Sequence, residues 1–341
     1  MDSKWDAWID DALPRHSRLT PVVASLIESL LIHARISYLT VSHRTKDRSG
    51  VLEKIERKGY RDPASQLTDF SGIRIVVYFE SDVKRVSDVI INSFRVDAEN
   101  SRNREELLSV NETGYRSTHY VCDVGPARSI LPEFEGMSDL KFEFQVRTIL
   151  QHAWAELAHD RNYKLSNSLP REMERQLYLY AGMLEIADRG FDQLSMQIDN
   201  YAAKLASDSS DHLMMTNLDS VSLVAFVRRW CDGNGFELES SVERAIPSLL
   251  TELSALKIGT AGELNSIIPP SYANVATRIG YTTNIYGLVR DWMLIHDWRR
   301  LLDATAIGWT LGTDEECAML REFLDAEDFE ELGRRLDGFN E

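Results

Sequence analysis

Leu67–Phe79, reading LTDFSGIRIVVYF, constrains the fold of this chain more than any other stretch. Its run Ile73-Arg74-Ile75-Val76-Val77-Tyr78-Phe79 is β-branched and aromatic, too apolar for a surface strand. It predicts a buried strand, entered through a Ser-Gly turn, with Asp69 at its lip. A carboxylate there either caps the turn or offers oxygen to a hard cation such as magnesium. A second strand is predicted at Leu140–Arg147, whose alternation puts Phe142, Phe144 and Val146 on one face and Lys141, Glu143, Gln145 and Arg147 on the other. As neighbours, the two strands would bring Asp69 and Glu143 to one metal-bound substrate.

The chain has 341 residues, 43% of them hydrophobic, enough for a full core and for two domains. No apolar run approaches the ~20 residues of a membrane span, and the N-terminus is acidic where a signal peptide is basic. A cytoplasmic protein with no membrane partner is expected. Cys122, Cys231 and Cys317 lie far apart without metal-ligand spacing, which predicts buried thiols. Fifty-four acidic against thirty-eight basic side chains give a charge of −16, against nonspecific nucleic-acid or membrane binding. Screening acts over ~8 Å, so a local basic groove can still attract phosphate.

Thr20 and Pro21 predict a helix start, with Val22, Leu26, Leu30 and His33 near helical spacing and the helix running through Tyr38. Beyond it, Arg44, Lys46 and Arg48 share a turn, and a helix over Ser49–Lys58 stops at Gly59. A basic run alone is usually a solvated helix face, but three cations in one turn can converge on a polyphosphate. Asp82–Phe94 predicts a helix packed on the sheet, Phe94–Asp97 a strand, and the polar Glu99–Glu112 a loop beside a site. Thr113–Tyr120 leads into a strand through Val124. There Gly114 permits close approach, Arg116 and His119 offer donors, and Tyr115 offers a face on which a base stacks for about 1–3 kcal/mol.

In the predicted helix Thr148–Arg161, His152, Glu156 and His159 recur at helical spacing, a poor metal set without a second carboxylate. Pro170–Ser207 predicts a helix of about 55 Å, bent or divided at Gly182 and Gly190. Residues 208–218 read as a linker between a first domain, 1–207, and a helical accessory domain, 219–341. Helices are expected there at 222–230, 242–256, 283–303, 313–324 and 328–336, with Pro269-Pro270 as a break and Trp292, Trp298 and Trp309 as core. That half carries no catalytic constellation.

Four blocks in this order resemble the RelA/SpoT family of nucleotide pyrophosphokinases, whose members make ppGpp and pppGpp. Arg44-x-Lys46 with Lys54 is similar to the family's ATP-binding loop, and Asp69-Phe-Ser-Gly72-Ile-Arg74 to its D-x-x-G-x-R. Gly114-Tyr-Arg-Ser-Thr-His119 resembles its G-Y-R-S-x-H, and Glu143-Phe-Gln-Val-Arg-Thr148 its E-x-Q-x-R-T. Trp154, His159, Tyr163 and Lys164 extend the last block as in small members, and the likeness covers about Leu30–Lys164.

The resemblance implies an α+β fold, a mixed central β-sheet flanked by helices of the nucleotidyltransferase type, followed by the mostly helical C-terminal domain. It implies transfer of the β,γ-pyrophosphate of ATP to the ribose 3′-hydroxyl of GTP or GDP, releasing AMP. By this likeness Arg44 and Arg74 sandwich adenine, Lys46 and Lys54 hold the ATP phosphates, and Asp69 binds Mg2+. Glu143 completes the metal site or deprotonates the attacking hydroxyl. Tyr115 stacks on the acceptor's base, and Arg116, His119, Gln145, Arg147 and His152 complete the acceptor site. Small members often form homo-oligomers through the synthetase helices.

Two positions depart from the pattern. Gly50 stands where the ATP loop often has serine, and Asn111 where many members have a lysine for the acceptor's 5′-phosphates. The alternative acceptors, taken from toxic relatives, are an adenosine nucleotide or the 3′ end of tRNA, the latter disfavoured by the overall acidity. In such relatives a C-terminal domain restrains activity, senses phage or meets a protein regulator. Only about forty residues precede the ATP loop, too few for the family's hydrolase domain, so synthesis without hydrolysis is expected.

Overall fold

A computed structural model describes residues 5–103, 117–165, 170–239 and 246–337, apart from the side chains of 102–103, 158–165 and 174. The chain divides into two compact units, Met1–Ser195 and Met196–Glu341.

The first unit is built on a mixed sheet in the order β1-β2-β6-β5-β3, with β4 also paired to β5. The strands are β1 (Tyr38–Thr45), β2 (Ser71–Val77), β3 (Arg95–Val96), β4 (Arg102–Asn103), β5 (Thr118–Asp123) and β6 (Phe142–Thr148). The predicted strand pair is adjacent: β2 and β6 run parallel, with Gly72 opposite Glu143 and Arg74 opposite Gln145. The other pairings are antiparallel. Phe142, Phe144 and Val146 of β6 are buried with Ile73, Ile75 and Val77 of β2. Helices α1 (Asp6–His33) and α3 (Glu80–Ser93) cover this apolar face through Leu19, Val23, Ile27, Leu31, Val86 and Ile90.

Three local expectations are corrected. Helix α1 begins at Asp6 and runs through Pro14 and Pro21 rather than starting at the second, and it ends at His33, so that Tyr38 opens β1. Each proline removes one backbone donor, a cost offset by burial of Ile9, Ala12, Leu19, Val23, Ile27 and Leu31 along one helix. Thr20 is not a cap: its hydroxyl lies 2.8 Å from that of Thr45 and donates to Ser71 at 2.7 Å, tying α1 to β1 and β2. Arg48 leaves the cationic turn to pair with Asp6 and Asp10, and it opens helix α2 (Arg48–Lys58).

Helix α4 (Ile149–Leu165) follows β6 directly, and α5 (Arg171–Ser207) is one helix of 37 residues, undivided at Gly182 or Gly190. Glycine keeps its N–H, so the hydrogen-bond ladder passes through it at about 1 kcal/mol. The division between the units falls within α5.

The second unit is helical and has its own core, in which Trp292 and Trp298 are buried and Trp309 packs at the edge. Its predicted helices appear at Ser220–Asn234, Ile246–Ala255, Ile285–Ala304, Asp314–Arg321 and Ala326–Asp337. Three more were not predicted: Ser210–Met214, Ala261–Ile267 and Tyr272–Ile279, the last two on either side of Pro269-Pro270. Asp291 is fully buried there and accepts hydrogen bonds from the hydroxyls of Tyr272 (2.6 Å) and Tyr281 (2.8 Å). Cys122 and Cys231 are buried and Cys317 half-buried, all free. Among the described residues no helix is long and apolar enough to cross a membrane.

Candidate active site

The face of the sheet away from α1 and α3 carries the polar residues. Strand register sets Arg44, Gly72 and Glu143 in one row and Ser42, Arg74, Gln145 and His119 in the next. A Cβ built on Gly72 would meet nothing nearer than the Arg44 carbonyl oxygen at 3.8 Å. Protein packing therefore does not demand glycine there, and its missing side chain leaves room between Arg44 and Glu143.

Asp69 is fixed by its neighbours in sequence. Leu67 and Phe70 are buried in a small cluster with Ile9, Val51 and Ile55, and the Phe70 ring stacks on His16 with centroids 4.3 Å apart. The same cluster orients α2, which Asp47 caps by accepting from Gly50 N and Gly59 closes in the left-handed region at φ 63°. With Val51 and Ile55 inward, Lys54 comes over the Asp69 carboxylate. Lys54 Nζ lies 2.5 Å and Lys46 Nζ 3.4 Å from Asp69 Oδ2. Asp69 Oδ1 is buried without a hydrogen-bond partner among the described residues. Gly50 also has a local reason: a Cβ there would stand 3.0 Å from Asp47 Oδ1, against the cap.

Glu143 sits in a chain of side chains across β5 and β6. His119 Nδ1 lies 2.9 Å from Glu143 Oε1, and Gln145 Nε2 donates to Glu143 Oε2 at 2.8 Å. Arg147 donates to Gln145 Oε1 at 3.1 Å, and Ser117 Oγ lies 2.5 Å from His119 Nε2. Burial pushes the Glu143 carboxyl up, but the bond to His119, the Gln145 amide and the charge of Lys54 outweigh it and hold it below the ordinary glutamate range. Lys54 thus acts on both carboxylates. On α4, Glu156 accepts from Arg74 at 2.6 Å and lies 3.7 Å from His152 Nδ1. Burial and then the charge of Arg74 lower the His152 pKa, against the pull of Glu156, so that ring is neutral at neutral pH.

The predicted residues thus fall into three groups. Lys46, Lys54 and Asp69 meet at the end of β2, and His119, Glu143, Gln145 and Arg147 meet across β5 and β6. Arg74 and His152 meet through Glu156. Arg44 is exposed and makes no salt bridge among the described residues, though its charge reaches Asp47. Tyr115, Arg116, Gly114 and Asn111 lie outside the described residues, as do the side chains of His159, Tyr163 and Lys164. Ser117 and Glu156 were given no site role in the sequence reading. Ser117 stood inside a recognised block two residues from His119, and Glu156 shared a helical face with His152, which were the only signals.

The described residues contain no cluster of three or more His, Cys, Asp or Glu able to hold a metal by themselves. The orphaned Asp69 Oδ1 nevertheless fits a hard cation, since magnesium is commonly held by one or two carboxylates with substrate phosphates completing the shell.

Residues 43–168 match the family model described as "Region found in RelA / SpoT proteins". The chain is 25% identical over 173 residues to the GTP pyrophosphokinase YwaC of Bacillus subtilis (strain 168), covering 50% of this chain and 79% of that protein. It is 29% identical over 146 residues to the GTP pyrophosphokinase YjbM of the same organism, covering 42% of this chain and 65% of that protein, just under two thirds. Among solved structures, the small alarmone synthetase 1 from Bacillus subtilis superposes with a TM-score of 0.48 at 22% identity, over 58% of this chain and 100% of that one.

Proposed function

We propose, from the match of residues 43–168 to the RelA/SpoT family model, that this chain is a GTP pyrophosphokinase that makes an alarmone. In this reading ATP is the donor and the ribose 3′-hydroxyl of GTP or GDP the acceptor. The acceptor oxygen bonds to the β-phosphorus of ATP, the bond from that phosphorus to the oxygen bridging to the α-phosphate breaks, and AMP leaves with that oxygen. The hydroxyl proton passes to Glu143.

The supporting observation is the convergence of Lys46 and Lys54 on Asp69, with the charge of Lys54 also felt at Glu143. Phosphoryl-type transfer requires chiefly positioning and neutralisation of charge, with little covalent work for the protein. Lys46 and Lys54 supply the cations for a triphosphate at the end of β2. Arg74, half-buried and anchored by Glu156, and the exposed Arg44 offer planar faces to adenine. Glu143, held ionised, is the base nearest the acceptor side. Asp69 would hold Mg2+, which when bound neutralises the phosphate oxygens.

The test follows label from [γ-³²P]ATP with Mg2+ onto GDP, GTP, ATP or deacylated tRNA offered separately, with Glu143→Gln as control. Label on a guanosine nucleotide that is lost with Glu143→Gln is expected. Label on tRNA alone, or equal turnover by Glu143→Gln, overturns the proposal.

A further inference from the structure

We infer that His119 is a positioning residue for Glu143, locked by Ser117, rather than a contact to the acceptor. The inference rests on the reading of Glu143 as the group that takes the acceptor's proton. Its ground is the unbroken series Ser117 Oγ, His119 Nε2, His119 Nδ1, Glu143 Oε1, with spacings of 2.5 and 2.9 Å across the ring. Both ring nitrogens are thereby engaged by protein. Ser117 is 3% exposed and the side chains of His119 and Glu143 are 19% and 14% exposed, so water cannot readily stand in for either partner.

The tautomer follows from the partners. An ionised carboxylate only accepts hydrogen bonds, so Nδ1 carries hydrogen; in the neutral ring Nε2 is then an acceptor, and Ser117 donates to it. A ring with both nitrogens so occupied has no donor left for a nucleotide. It fixes Glu143 Oε1 while Gln145, braced by Arg147, fixes Oε2. The register explains why these side chains meet: His119 is opposite Gln145 on the adjacent antiparallel strand, one step from Glu143 on the same face. A nucleotide-binding histidine and a positioning histidine are distinguished by what their loss changes.

The experiment measures kcat and the acceptor KM of the full chain for wild type, Ser117→Ala, His119→Ala, His119→Asn and Glu143→Gln. Histidine ring tautomers are read in parallel by ¹⁵N NMR. In His119→Ala, kcat should fall about tenfold or more, as a misplaced reacting group gives, and the acceptor KM should change less than twofold. His119→Asn, whose amide can replace the Nδ1 donor, should restore most of kcat. Wild type should show an Nδ1–H ring that Ser117→Ala shifts toward a mixture of tautomers, a readout that needs no turnover. A raised acceptor KM in His119→Ala with an unchanged kcat, or an Nε2–H ring in wild type, overturns the inference. Undiminished turnover in Glu143→Gln instead overturns the function reading beneath it.

Discussion

Removing the Asp69 carboxylate should reverse the sign of a neighbouring substitution. Lys54 and Lys46 share one oxygen at 2.5 and 3.4 Å, so their ammonium groups are no more than 5.9 Å apart. Both side chains are largely buried, 20% and 18% exposed, as is that of Asp69 at 18%. A charge-assisted hydrogen bond in such a setting stabilises by about 1.5–3 kcal/mol. Two like charges at that separation repel by about 3 kcal/mol at an effective dielectric near 20. Asp69→Asn should thus destabilise the first unit by about 2–4 kcal/mol, less than the sum because the lysines can swing toward water. Lys54→Met should cost about 2 kcal/mol in the native sequence, where it takes from the carboxylate the nearer of its two partners. In the Asp69→Asn background the same change should stabilise, because it removes the repulsion. The double-mutant cycle should therefore give a coupling of about 2–4 kcal/mol. Calorimetry of the full chain would read it, at about 2–4 °C per kcal/mol for a unit of this size. Equal destabilisation by Lys54→Met in both backgrounds would refute the claim that the lysines are held by Asp69.

Two further outcomes are expected. Arg44→Ala should raise the KM for ATP about tenfold, within the range of a lost guanidinium–ring stacking contact, and leave the melting temperature unchanged, because the side chain is exposed and without a salt bridge among the described residues; initial rates and a melting curve check both halves. Asp291 should make the second unit lose stability as pH rises. Burial raises its pKa from 3.8 to about 8, against the hydrogen bonds from Tyr272 and Tyr281, so the folded state holds a proton that the unfolded chain releases. That stabilisation is complete below pH 4 and is lost progressively up to pH 8. Urea titrations across that range should show the slope, and Asp291→Asn should flatten it.

The sheet strands were legible where pattern is local. The alternation of Phe142, Phe144 and Val146 with Glu143, Gln145 and Arg147 assigns each side chain to a face without reference to the rest of the chain. Of the four ordered blocks, the structure brings Lys46 and Lys54 to Asp69 and His119 to Glu143, and Trp292 and Trp298 were recognisable as core by their chemistry alone. The start of α1 was misread because Pro14 and Pro21 weigh heavily in a local window, whereas burial along the whole helix decides the matter.

The sequence by itself therefore determined the adjacent strands β2 and β6, the face each of their side chains takes, and the order of the family-like blocks, but not β1, which lies where a helix end and a turn were expected. Tertiary structure decided who meets whom. That β2 lies beside β6, more than sixty residues later, and that Lys46 and Lys54 converge on Asp69 while His119 turns to Glu143, follow from strand order and from the cluster around Phe70. Those are set by the burial of nonlocal apolar faces against one another, a term that no window of sequence contains.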